Sequence, residues 1–144
     1  MFNKLILSLA LVFTTLFAEI DFQKAMIYKA DINSTTAYNM QKEGTLIVDV
    51  RTKREFNTLR AKNSINIPVF YEKNGQRVFN KNFPNEIYKT LNGDINKDVI
   101  LICRSGSRTK LASNLLAYQG FKNVYNIKNG FQYDWTKVNL PTEK

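Results

Sequence analysis

The sequence predicts an α/β sandwich, with a mostly parallel sheet flanked by helices. Strand-like and helix-like patterns alternate along the chain, the arrangement in which crossover helices join parallel strands. Residues 45–50 and 99–102 are almost continuously apolar, as expected of strands covered on both faces. Four strands in all are apolar or β-branched, and no repeat, low-complexity tract or internal linker interrupts them.

Residues 1–18 read as an export signal. Lys4 supplies the basic start, residues 5–17 a 13-residue apolar run, and Ala18 a small residue before Glu19. That run is shorter than the ~20 residues a spanning helix needs. Cleavage, a periplasmic location and no lasting membrane insertion are therefore expected, with one domain over residues 19–144. Residues 26–28 are assigned as a short edge strand. Asn33-Ser34 offers an N-cap for a helix over 35–42 that Gly44 ends. After the strand at 45–50, residues 51–58 begin a short helix, with Thr52 as cap and Glu55 three positions on.

A brief strand at 65–68 stops at Pro68, and the polar residues 71–82 read as a surface loop. Pro84 stands in the first turn of a helix over 83–91. The strand Val99–Ile102 follows, then a helix over 107–119 with Leu111, Leu115, Leu116 and Tyr118 at helical spacing. A strand over 123–127 and a last helical turn over 130–135 complete the domain.

Composition removes whole classes of chemistry. The chain has no His and one Cys. A His-containing catalytic pair or triad is thereby excluded, as are His-ligated metal sites. An intrachain disulfide, a Cys-x-x-Cys redox pair and a Cys-rich zinc site are excluded too. Neither a metal nor a cofactor is expected. Net charge is +9 over the whole chain, and +8 once Lys4 leaves with the signal. No run of four or more Lys/Arg occurs, and export argues against nucleic acid. The charge is read as a solvated basic surface that also draws small anions toward one loop.

That loop begins at Cys103, which closes an apolar strand and opens the stretch Arg104-Ser105-Gly106-Ser107-Arg108 before a helix. Strand, small-residue loop and helix start together aim backbone N–H groups and the positive helix end at one spot. A sulfur placed there favours its thiolate, the nucleophilic form. The polar neighbours suggest an open loop rather than a core position. An unpaired thiol in an oxidising compartment is a liability unless it is buried or used.

The chain resembles a single-domain rhodanese, a sulfurtransferase with a three-layer sandwich fold. The resemblance lies in residues 46–51, in Glu55-Phe56, in 65–68 and in the run 99–108. It continues in 120–124 and in Gly130 with Trp135. It implies that Cys103 attacks a sulfane-sulfur donor, thiosulfate or polysulfide, and becomes a persulfide. The sulfur would then pass to a thiol or cyanide, or to a periplasmic redox protein. It also implies that the backbone N–H groups of residues 104–108 hold the persulfide's outer sulfur. Arg104, Ser105, Gly106, Ser107 and Arg108 are the candidate substrate-binding residues. Gly106 fits a turn with positive φ. Arg104 and Arg108 would support the thiolate and pair anionic donors. Arg108 could instead tie the loop to a carboxylate. Asp49, Arg51 and Glu55 resemble the family's structural ion-pair cluster, and Trp135 reads as core.

The sequence departs from the family at Leu59-Arg60-Ala61, where Gly-His-Ile is common, so Arg60 brings a further cation to that side. Relatives that act on tetrahedral oxyanions, the phosphatases and arsenate reductases, space their loop Cys-x5-Arg. Here Arg108 gives Cys-x4-Arg and position 109 is Thr, which argues against phosphate chemistry. The other alternative is a periplasmic sulfur carrier or interaction module with little turnover of its own.

Overall fold

The computed structural model describes residues 20–144; the export-signal assignment lies outside them. Five strands form the central sheet: β1 (Ala30–Ile32), β2 (Leu46–Asp49), β4 (Ile65–Asn66), β7 (Val99–Ile102) and β8 (Val124–Ile127). Their order is β1-β8-β7-β2-β4, and every adjacent pair is parallel. All five carboxyl ends therefore lie along one edge, and β7, which delivers Cys103, is the middle strand.

Alternation along the central strands explains the three layers. Val48, Leu101 and Val124 face a core completed by Phe83 and Ile87 of α3 (Phe83–Thr90) and Ala112 and Leu116 of α4 (Ser107–Tyr118). Ile47, Ile100, Ile102 and Ile127 face the opposite way. There they meet Ala37 of α1 (Ser34–Lys42), with Phe131 and Trp135 of a π-helical turn (Phe131–Trp135). Strands buried on both faces read as continuous apolar runs, which is why β2 and β7 were the clearest signals in the sequence.

Local chemistry sets the helix starts. Asn33 caps α1 by accepting from the Thr36 N–H at 2.8 Å. Thr52 and Glu55 form a reciprocal capping box at the start of α2 (Lys53–Thr58). Trp135 is buried as expected, its indole N–H donating to the Pro141 carbonyl at 2.9 Å.

Three assignments are corrected. The edge strand is Ala30–Ile32 rather than residues 26–28; the earlier segment is held instead by buried Asn114 of α4, which bonds the backbone of Phe22, Ala25 and Ile27. The supposed loop at 71–82 contains a hairpin, β5 (Phe70–Lys73) and β6 (Gln76–Phe79), turning at Asn74-Gly75. Asn-Gly is a strong two-residue hairpin signal; it was masked because the strands lie outside the core and carry no apolar-in, polar-out alternation. On α4 the fully buried positions are Thr109, Ala112, Ser113, Asn114 and Leu116, whereas Tyr118 is exposed. Leu111, Leu115 and Leu116 pack against the core as expected, and small and polar residues complete that face in place of Tyr118.

Candidate active site

Cys103 stands one residue past the end of β7 and keeps that strand's alternation, so its side chain turns onto the α3/α4 face. It is only 1% exposed, contrary to the expectation of an open loop. The thiol is nevertheless not surrounded by apolar groups alone. Gly106 donates its backbone N–H to Sγ at 3.1 Å, and Thr109 Oγ1 lies 3.4 Å from Sγ. The broad ring of amides expected from the sequence narrows to one N–H at the sulfur among the described residues, and a hydroxyl joins it.

Thr109 is the residue that sequence reasoning missed, having noted it only as the absence of an arginine. Its hydroxyl also donates to the Gly106 carbonyl at 3.1 Å. One hydroxyl proton therefore serves two acceptors. A neutral thiol can donate to Thr109 Oγ1 while Thr109 donates to Gly106. A thiolate instead accepts from Gly106 N–H and competes for the Thr109 proton.

The loop geometry depends on two glycines. Gly106 has φ +97°, and a Cβ there would lie 1.8 Å from the Lys128 carbonyl oxygen, a distance no side chain tolerates. A Cβ on Gly130 would lie 2.6 Å from the Arg104 carbonyl oxygen. That close approach lets the Phe131 N–H reach the Cys103 carbonyl at 2.7 Å and the Gln132 N–H reach the Arg104 carbonyl at 3.0 Å. The π-helical turn thus clamps the first two carbonyls of the loop, a role the sequence reading did not assign to it.

Arg108 is buried and forms a two-pronged pair with Glu55, Nη1 to Oε1 at 2.7 Å and Nη2 to Oε2 at 2.9 Å. Of the roles foreseen for it, the structure realises the carboxylate tether. Burial opposes charge on Glu55, but the Arg108 bonds and charge, with help from Thr52, overcome it and hold the carboxyl at about 2. Burial likewise works against the Arg108 charge, and Glu55 first, then Cys103 and Asp49, hold its pKa above the ordinary value. The cation is fixed near the sulfur but spent on Glu55.

Asp49 and Arg51 form the buried pair foreseen, with Nη2 to Oδ2 at 2.6 Å. Burial pushes the Asp49 carboxyl upward, and Arg51 opposes that rise. Glu55 belongs to the Arg108 pair rather than to this one. Arg51 also bonds the Leu59 carbonyl and lies over the Phe131 ring at 4.6 Å. Arg60 does not join the site. It stacks on Phe56 at 4.5 Å and pairs with Glu143 at 3.4 Å, beside the small antiparallel pairing of β3 (Arg60–Ala61) with β9 (Thr142–Glu143). Ser105 is half-buried and Ser107 exposed, and neither side chain hydrogen-bonds Sγ among the described residues.

Arg104 is exposed and lines a hollow of about 400 Å³ with Arg51, Arg54, Leu59 and Phe131. A larger hollow of about 540 Å³ lies between α2 and the hairpin and includes no residue of the Cys103 loop. The smaller hollow takes in Arg104 of the Cys103 loop but not Cys103 itself, and the Glu55 carboxylate also lines it. The described residues contain no group of three or more metal-capable Cys, Asp or Glu side chains, and no helix among them is long and apolar enough to cross a membrane.

A family model described as a rhodanese-like domain matches residues 33–137. The chain is 36% identical over 123 residues to the uncharacterised protein RP600 of Rickettsia prowazekii, covering 77% of this chain and 94% of that protein. It is 31% identical over 115 residues to thiosulfate sulfurtransferase 16 of Arabidopsis chloroplasts, covering 79% of this chain and 92% of the relative. Among solved structures, Rv0390 from M. tuberculosis is similar with a TM-score of 0.65 and 25% identity, over 81% of this chain and 98% of that one. The five-stranded parallel sheet, the cysteine after its middle strand and the span of these matches agree: the chain belongs to the rhodanese-like domain family.

Proposed function

We propose that the protein is a sulfurtransferase that carries a sulfane sulfur on Cys103, exported to the periplasm by residues 1–18. In the first step the Cys103 thiolate attacks the outer sulfur of thiosulfate. A sulfur–sulfur bond forms to Sγ, the bond within thiosulfate breaks, and sulfite leaves with the bonding pair. In the second step a thiolate or cyanide attacks the outer sulfur, and Cys103 departs as the thiolate. Polysulfide can serve in place of thiosulfate by the same displacement.

The observation that carries this reading is the polar surround of Sγ: Gly106 donates its N–H to it at 3.1 Å, and the Thr109 hydroxyl, which also donates to the Gly106 carbonyl, lies 3.4 Å away. A backbone N–H aimed at the sulfur is a donor that a persulfide-forming nucleophile can use. First-turn N–H groups of a helix have no acceptor within it, so the start of α4 offers donors to the outer sulfur of a persulfide. The similarity to a named thiosulfate sulfurtransferase supports the donor class. Thr109 supports it against phosphate chemistry, because its buried side chain occupies the position at which oxyanion-processing relatives need an arginine.

Steady-state transfer from thiosulfate or polysulfide to cyanide tests the reading. Wild type is expected to turn over and Cys103→Ser to fall to background, while neither hydrolyses an aryl phosphate. Aryl-phosphate hydrolysis that depends on Cys103 would reverse the assignment. Loading with sulfur but negligible turnover would favour the carrier reading.

A further inference from the structure

The hollow of about 540 Å³ between α2 and the hairpin takes no part in the sulfur chemistry. Lys53, Arg54 and Phe56 of α2 line one side of it, and Phe70, Tyr71 and Glu72 of β5 the other. No β6 residue lines it. Neighbouring residues of a strand point to opposite faces. A space that touches Phe70, Tyr71 and Glu72 therefore lies at the edge of β5, not over one face of the hairpin.

The register of the hairpin shows what that edge presents. Asn74 and Gly75 have φ +52° and +75°, as in a type I′ two-residue turn, and Lys73 pairs with Gln76 across it. The pair that closes such a turn exchanges its backbone bonds, and every second pair does so after it. Lys73 and Tyr71 thus turn their N–H and C=O groups toward β6. The Asn80 N–H on the Val69 carbonyl, at 2.9 Å, continues the same phase. Phe70 and Glu72 turn theirs outward, and no backbone group among the described residues bonds them there.

An open strand edge is a template for a further strand. Here half-buried Phe56 and Pro68 supply an apolar floor beside it. Lys53 forms no ion pair among the described residues. Arg54 is held only by the exposed Glu72 pair at 2.9 Å, a contact weak enough to yield. Lys73, Arg77 and Lys81, all exposed, extend the positive charge along the hairpin. A second copy of a chain with net charge +9 is repelled from this edge, whereas an acidic strand is drawn to it.

From the open edge, its apolar floor and its charge we infer that this hollow is a docking groove for an extended, acidic segment of a partner protein. The segment adds a strand to β5 and exchanges backbone hydrogen bonds with Phe70 and Glu72. An apolar side chain fills the space against Phe56 and Pro68. Carboxylates at alternate positions pair with Lys53 and displace Glu72 from Arg54. Arg54 lines both this hollow and the one that takes in Arg104, so the docked partner stands beside the edge of the sheet that carries Cys103.

The test uses the isotopically labelled full chain and two hexapeptides as probes. Valine and phenylalanine alternate with glutamate in one and with lysine in the other, and hydrogen exchange is read at single amides. The glutamate peptide is expected to slow exchange at Phe70 and Glu72, to leave Arg77 and Phe79 unchanged, and to bind about tenfold tighter than the lysine peptide. N-methylation at alternate residues, which keeps the charges and removes backbone donors, should weaken it by about tenfold. Arg54→Gln should weaken it by about fivefold, the scale of one exposed ion pair, and Glu72→Gln should tighten it. No protection of Phe70 and Glu72 at any soluble peptide concentration, equal binding of the two peptides, or protection of Arg77 and Phe79 instead would overturn the inference. Protection that rises with protein concentration in the absence of peptide would assign the edge to a second copy and overturn it as well. None of these outcomes alters the sulfurtransferase reading, which sulfur loading of Cys103 tests separately.

Discussion

Residue 109 shows how one side chain sets the chemistry of the site. Thr109 is buried on α4, bonded to the Gly106 carbonyl and within reach of Cys103 Sγ. Thr109→Val keeps the shape and removes the hydroxyl. A hydrogen bond to a charged group is worth ~1.5–3 kcal/mol, so alkylation of Cys103 near neutral pH should slow by about tenfold or more, while Thr109→Ser stays near wild type. Stopped-flow alkylation measures this; equal rates for Val and Thr would remove the hydroxyl from the account. The sequence disclosed Cys103, the Gly106 turn and the Cys-x4-Arg spacing. It did not disclose Thr109, whose contact with Sγ depends on how the loop turns at Gly106, or the Gly130 clamp, which acts on backbone distant in the chain.

At the scale of elements, Glu55 joins the start of α2 to the first turn of α4. It completes the Thr52 capping box and takes both Arg108 prongs. Glu55→Gln leaves a buried guanidinium without its counter-charge, at a cost of about 3 kcal/mol, readable as a lowered denaturation midpoint in urea. The sign of the pH effect follows from the depressed carboxyl, at about 2 against 4.5. Above 4.5 the stabilisation is fully present. As pH falls from 4.5 toward 2 the unfolded chain takes the proton first, and stability is lost. Wild type should therefore weaken across that window more steeply than Glu55→Gln; parallel pH profiles for the two would contradict the pair's role.

The hairpin is the opposite kind of element. Beyond Phe70 its two strands are exposed at every position, and its link to α2 is the exposed Arg54–Glu72 pair. Exposed pairs contribute ~0–1 kcal/mol. Replacing residues 71–78 with a short turn should change stability by no more than about 1 kcal/mol, as measured by urea unfolding. A loss of several kcal/mol would show that the hairpin belongs to the cooperative core.

For the whole molecule, the sheet explains why the architecture was readable while the site was only partly so. β2 and β7 are apolar on both faces because helices cover both faces, and that physical demand writes itself directly into the sequence. β1, β3 and β9 are two or three residues long. They are paired by what lies beside them, so no periodicity marks them. The site draws on the carboxyl end of β7, the start of α4, the start of α2 and the π-helical turn, brought to one sheet edge by parallel pairing. Spacing within 103–108 found its centre; only the fold brought in Glu55, Phe131 and Gln132.

That assembly places a single thiol where a charged outer sulfur can be held, and its sulfur content after exposure to a donor tests the claim most directly. Purified protein incubated with thiosulfate or polysulfide is predicted to gain the mass of one sulfur atom. The gain should map to the Cys103 peptide, be reversed by a thiol reductant, and be absent in Cys103→Ala. No added sulfur from either donor, or an equal gain in Cys103→Ala, would contradict the account.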